Sequence, residues 1–253
     1  MAKRIVAIVN QKGGVGKTTT TVNLTNALAM SGKKVTVIDL DPQAHLAISL
    51  GIVSPSMAGV DEVMLSSADI SKNLIPVREN LQLIVAGPKL QKIEQLTEQG
   101  AKRGDLLRKA LQGALEDQDF IFIDCPPSSA LLVANALFAA DELLIPMTGD
   151  FLALQGLSHM MGTIKRFETL LKRKYKLFLV MSRYATTRRI SKEVLNTMLQ
   201  HFPNQVLATV IRETALLAEC PGFGKSILEY RPGSRSARDF RNLAKDFLEG
   251  KVM

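Results

Sequence analysis

Tryptophan is absent from the 253 residues, tyrosine occurs three times, and aromatic residues make up 5% of the chain. That scarcity argues against a surface that stacks single-stranded bases on aromatic rings. The two cysteines, Cys125 and Cys220, are too few for a disulfide framework and too isolated to hold an iron–sulfur cluster. A reducing, cytoplasmic setting is expected. No apolar run reaches 18 residues, so no membrane-spanning helix is expected. The opening MAKRIVAIVN is basic and then apolar, like a secretory leader, but its apolar run of about five residues leads into a glycine loop and reads as a buried first strand. His45, His159 and His201 show no metal-ligand spacing. There is no repeat, low-complexity tract or Pro/Gly-rich linker, so residues 1–253 are read as one domain.

Charge is present but unevenly placed. The net charge is +8, yet residues 1–162 carry 14 Lys and Arg against 16 Asp and Glu, and residues 163–253 carry 18 against 8. The second stretch therefore reads as a surface for a polyanion, with a scattered solvated face as the plainer reading. Apolar, β-branched runs recur at Arg4–Asn10, Lys34–Leu40, Leu81–Ala86, Asp119–Asp124, Glu142–Pro146, Leu177–Met181 and Val206–Ile211. Helical segments alternate with them at Thr18–Met30, Asp105–Leu115, Ala130–Phe138, Leu157–Lys172, Ser191–His201 and Ser236–Leu248. Strands that are apolar throughout are covered on both faces, so the expected fold is α/β, a doubly wound and mostly parallel sheet with helices on both sides. Residues 51–80 show the least regular pattern.

The most specific motif is QKGGVGKTTT, Gln11 to Thr20. It follows the first strand and opens the first helix, the context of a phosphate-binding loop, although Gln11 stands where that pattern has its first glycine. The glycines let successive amide groups turn toward phosphate oxygens, and the helix N-terminus adds partial positive charge. Gly13, Gly14, Val15, Gly16, Lys17, Thr18 and Thr19 are thus the candidate nucleotide-binding residues. Lys17 reaches for the terminal phosphates, and the Thr18 hydroxyl can ligate Mg²⁺. Asp124 ends an apolar strand and is placed to hold Mg²⁺ through water, a capping role being the alternative. Asp39 and Asp41 lie two apart and would face one side of an extended segment.

With its second lysine, Lys12, the stretch KGGVGKTT resembles the deviant Walker A motif of the ParA/MinD ATPases. IDLDPQ (Ile38–Gln43), FIFIDCPPS (Phe120–Ser128) and LLAECPGFGKSI (Leu216–Ile227) resemble further segments of that family, the last one those of its short chromosome-partitioning (Soj) branch. The likeness runs over nearly the whole chain. It implies a P-loop NTPase fold of the SIMIBI type with ATP and Mg²⁺ as cofactors, and an ATPase that dimerises with ATP. Lys12 would reach the nucleotide of the partner subunit, Asp41 would orient the attacking water, and Asp39 would support Mg²⁺ or its loop. Arg212 and Thr214 fall where the family lines the adenine, although Arg212-Glu213-Thr214 replaces its Pro-Arg-Asn run. The resemblance also implies non-specific duplex DNA binding, here by Arg188, Arg189, Lys192, Lys225, Arg235 and Arg238, because Leu216 stands where that branch often has an arginine. A ParB-like adaptor and a nucleoid-associated location follow, as does the short form without an operator-reading domain.

Three other readings compete. A MinD-like membrane-cycling ATPase would need an amphipathic membrane helix, but Phe240, Leu243, Ala244 and Phe247 read as a core-facing stripe, so no membrane partner is expected. A small-molecule P-loop kinase would not need Lys12 or the basic half. A positioner of chemoreceptor arrays or protein microcompartments would share every motif.

Overall fold

The computed structural model describes residues 3–52, 57–66, 68–95 and 104–253. Its strands are β1 (Arg4–Ile8), β2 (Val35–Asp39), β3 (Ile75–Arg78), β4 (Leu81–Ile84), β5 (Phe120–Asp124), β6 (Glu142–Thr148) and β7 (Lys176–Ser182). They form one sheet in the order β3-β4-β2-β5-β1-β6-β7. Only the β3–β4 pair is antiparallel. The expected doubly wound, mostly parallel fold is therefore observed. The central strands β2, β5 and β6 are buried at every position, which is why their sequences are apolar without alternation.

Helices cover both faces. One layer holds α1 (Lys17–Met30), α2 (His45–Ser49), α10 (Ile227–Tyr230) and α11 (Arg235–Glu249). The other holds α3 (Val60–Ser66), α4 (Leu90–Gln95), α5 (Leu106–Leu111), α6 (Ala130–Ala139), α7 (Phe151–Leu171) and α8 (Arg189–His201). The short α9 (Ala215–Glu219) precedes α10. Phe240, Leu243, Ala244 and Phe247 of α11 are all buried, and the Phe247 ring packs on Phe120, Phe122 and Phe178. That stripe is core, as expected, and is not available to a lipid surface. No helix among the described residues is long and apolar enough to cross a membrane.

Four local expectations are corrected. Val206–Ile211 is not a strand: it meets β7 at the Leu179–Val206 bridge and again where the Ile211 N–H donates to the Met181 carbonyl at 2.7 Å, but between these Leu207 bridges Val252, so no continuous ladder forms. Asp105–Leu115 shortens to Leu106–Leu111, because Gly113 and Leu115 both take positive φ, 72° and 54°, which a helix cannot continue through. The helix expected from Leu157 begins at Phe151, where the Asp150 side chain accepts the Ala153 N–H. The irregular region contains β3, an edge strand that its proline left unreadable as sheet.

Candidate nucleotide site

The site lies at the carboxyl ends of β1, β2 and β5, where parallel strands expose free backbone and chain connections diverge to opposite faces. The loop after β1 enters α1 at Gly16, whose φ of 88° is open to glycine and strained for other residues. A Cβ there would stand 2.7 Å from Ser182 Oγ, so position 16 is fixed by conformation and by space. Gly14 also has positive φ, 71°. Gly13, Gly14, Gly16, Lys17, Thr18 and Thr19 line a cavity of about 440 Å³ together with Asp41, Pro42, Gln43, His45, Gln91 and Pro126–Ser128. The Val15 side chain is buried in the protein, leaving only its backbone for a ligand.

Lys17 is 7% exposed, and its Nζ donates to the Lys12 carbonyl at 3.4 Å. Burial lowers its pKa, opposed by the charges of Asp124, Cys125 and Asp41. Thr18 donates its hydroxyl to Asp124 Oδ2 at 2.7 Å, and Thr21 donates to Oδ1 at 2.9 Å. Burial pushes the Asp124 carboxyl up to about 6, although both threonines and Lys17 favour its charged form. Asp39 pairs in register with Asp124, is fully buried, and is pushed well up by burial and then by the Asp124 charge. Its Oδ1 accepts the Asp41 N–H at 2.9 Å, and its Oδ2 is without a partner.

These contacts separate the two aspartates that the sequence placed on one face. Asp39 is the last residue of β2 and lies behind the loop; Asp41 lies past the strand, where two-residue alternation no longer applies, and it alone lines the cavity. Hard oxygen donors at Thr18 and Asp124, with an unpaired carboxylate oxygen on Asp39, fit Mg²⁺ that arrives with a phosphate. No cluster of three or more His, Cys, Asp or Glu among the described residues forms a metal cage of its own. Cys125 and Cys220 are buried in opposite core layers, which leaves nothing to hold an iron–sulfur cluster there.

Lys12 does not line the phosphate cavity. Its Nζ turns to Asp150, 2.7 and 2.8 Å from the two carboxylate oxygens. Asp150 also accepts the Thr148 hydroxyl at 2.6 Å and caps α7. Burial by itself would raise the Asp150 carboxyl, but the hydrogen bonds from Lys12 and Thr148 outweigh it and hold the pKa below the ordinary value. Sequence reasoning missed this partner; the lone Asp before a long apolar helix was its only local signal.

A second cavity, of about 410 Å³, continues from Gly14, Gly16 and Thr19 to Ser182, Ile211, Arg212 and Thr214. Arg212 and Thr214 line it, but the Arg212 guanidinium is committed to Asp239 of α11, and Thr214 caps α9. Arg183 and Glu213 also line this cavity and were not among the expected nucleotide residues. The six expected DNA residues are not one patch. Arg189 and Lys192 are exposed on α8 in one helical layer, whereas Lys225, Arg235 and Arg238 are exposed at α10 and α11 in the other. Arg188 lines the cleft that holds Lys12 and stands 3.7 Å from Glu213.

Comparison with known proteins agrees with this fold. A family model described as an AAA domain matches residues 3–177. The chain is 36% identical over 246 residues to the sporulation initiation inhibitor protein Soj of Bacillus subtilis, covering 96% of this chain and 97% of that protein. Among solved structures it resembles a cobyrinic acid a,c-diamide synthase of Mycobacterium smegmatis with bound ADP and magnesium, at 30% identity and a TM-score of 0.84, covering 98% of this chain and 94% of that one. A putative plasmid partition protein of Borrelia burgdorferi bound to AMPPNP gives 25% identity and a TM-score of 0.82, with 98% and 99% covered. On its phosphate loop, its two acidic segments and a full-length relative above 30% identity, the chain belongs to the ParA/MinD family of P-loop ATPases.

Proposed function

We propose that this chain is an ATP-dependent dimer switch that binds duplex DNA without sequence preference and partitions a cargo. The observation that carries the reading is the position of Lys12: its side chain lies outside its own phosphate cavity, is one-third exposed and is held by Asp150, a pair it would exchange for another subunit's nucleotide. Two triphosphates brought face to face repel strongly unless cations stand between them, and one Lys12 from each subunit supplies that charge. Gly13–Thr19 and Lys17 would hold the phosphates of ATP, which supplies the bond to be hydrolysed and the charge that joins the subunits. Thr18 and Asp124, supported by Asp39, would hold Mg²⁺, and Asp41 would orient the attacking water from the cavity wall.

DNA binding rests on exposure and charge. Arg189, Lys192, Lys225, Arg235 and Arg238 are all exposed, in a region of 18 basic against 8 acidic residues. A dimer doubles the phosphate contacts offered to one duplex and so amplifies a weak monomer affinity. Carboxylates compete for two of the six: Glu193 stands 2.6 Å from Arg189 and Glu213 3.7 Å from Arg188. A ParB-like adaptor that stimulates hydrolysis, and a cytoplasmic, nucleoid-associated location, complete the reading. The test is binding to a random duplex with ATP, ADP or no nucleotide across a salt series, with subunit mass measured in parallel. Tight, salt-sensitive binding only in ATP, lost with ATP-dependent dimerisation in Lys12→Ala, is expected. Equal binding in all three nucleotide states would refute the switch.

A further inference from the structure

Glu213 stands at the junction of two cavities. With Arg183 it lines both the 410 Å³ cavity beside Ser182 and Thr214 and a cleft of about 220 Å³ that holds Lys12 and Asp150. Its carboxylate takes Arg183 at 3.0 Å and Arg188 at 3.7 Å, one arginine on each oxygen. Arg183 also donates from Nη1 to the Gly14 carbonyl at 3.3 Å, across 169 residues of sequence.

The backbone at Arg183 is unusual. Its φ is 50°, the left-handed region, which is strained for a side-chain-bearing residue. The surroundings enforce it: Tyr184 N–H donates to the Ile211 carbonyl at 2.9 Å, and Glu213 N–H returns to the Tyr184 carbonyl at 3.1 Å. Residues 183–184 and 211–213 are thus strapped together just past the end of β7. The strap holds a half-exposed guanidinium against the phosphate loop, on a peptide carbonyl and one carboxylate. A polyphosphate entering the loop is a stronger acceptor than that carbonyl, and an arginine fork suits it.

We propose that Arg183 is a nucleotide-contacting residue acting within its own subunit, and that Glu213 holds it in waiting as the counter-charge that the nucleotide displaces. The chemical class it reads is the polyphosphate. The two residues of the pair then have opposite effects on affinity. Removing Arg183 takes away a charge-assisted hydrogen bond to the nucleotide. Removing the Glu213 charge frees Arg183 and removes a negative group beside the incoming phosphates. A pair that only braced the strap would weaken binding whichever partner was removed.

The experiment is calorimetric titration of Mg-ADP into the wild type and three variants, with thermal melts confirming the fold. ADP keeps the measurement apart from ATP-dependent dimerisation. The proposal rests on the loop binding a nucleotide, and a wild type that takes up no ADP would fail that premise separately. Arg183→Asn tolerates the left-handed backbone and is expected to bind ADP about five- to tenfold more weakly. Arg183→Lys, which keeps the charge, is expected to recover most of that affinity. Glu213→Gln is expected to bind ADP about two- to fivefold more tightly. The proposal is overturned if Arg183→Asn binds ADP like the wild type, if Arg183→Lys binds no better than Arg183→Asn, or if Glu213→Gln does not tighten binding.

Discussion

Replacing Asp124 by asparagine is expected to stabilise the ligand-free protein while abolishing Mg²⁺-dependent hydrolysis. Asp124 is 1% exposed, and its carboxyl is pushed from 3.8 to about 6, first by burial. A rise of about two units corresponds to about 3 kcal/mol that the fold spends to keep the group ionised. Between the unfolded value and about 6 the folded chain holds more protons than the unfolded one. Stability therefore falls as pH rises through that window, and the full penalty stands above it. Asparagine has nearly the same shape, keeps an acceptor for Thr18 or Thr21, and cannot ionise. At about pH 7.5 Asp124→Asn should gain up to about 3 kcal/mol, or about 6–12 °C in melting temperature for a chain of this size. The gain should shrink to almost nothing by about pH 3, below both values, where the wild-type carboxyl is protonated in both states. Thermal melts without nucleotide or Mg²⁺, repeated across pH, measure this directly. A variant no more stable than the wild type at pH 7.5, or a gap that does not change with pH, would refute the reasoning.

Asp150→Asn keeps a good helix cap but breaks the pair with Lys12. If the half-exposed pair contributes up to about 1 kcal/mol per subunit, freeing Lys12 in both subunits should tighten the ATP-bound dimer by up to about thirtyfold, measured by sedimentation. Asp41→Ala should retain the ATP-dependent dimer and lose phosphate release, since it removes the one aspartate on the cavity wall. Arg189→Ala and Lys192→Ala should each lower the salt slope of DNA binding by about 1.8 per dimer, from about 0.9 for each phosphate no longer neutralised, without changing dimerisation. Phe247→Ala should cost about 3–5 kcal/mol in a urea melt, because that fully buried ring meets three other phenylalanines.

The parallel sheet was legible because its strands are mostly apolar on both faces, and the phosphate loop because its glycines, Lys17 and Thr18 act within a few residues of one another. Those features are local: helix start and loop conformation are set by neighbours along the chain, and an apolar run can be read without knowing what covers it. Boundaries were legible only where one residue dominates, as with Gly16 at the start of α1. Val206–Ile211 misled because its β-branched residues suit a strand, while its hydrogen-bond partners lie on two different segments. Asp39 and Asp41 misled because alternation ends with the strand.

What the sequence by itself determined is the family, the fold class, the phosphate loop and the identity of the acidic residues. What only the tertiary structure decided is which charges meet. Lys12 and Asp150 are 138 residues apart, Thr18 and Asp124 106, and Arg183 and Gly14 169. Nothing in local periodicity encodes those meetings. They follow from strand order, which brings the ends of β1, β5, β6 and β7 to one edge of the sheet, and a charge acquires its role there from the partner it finds.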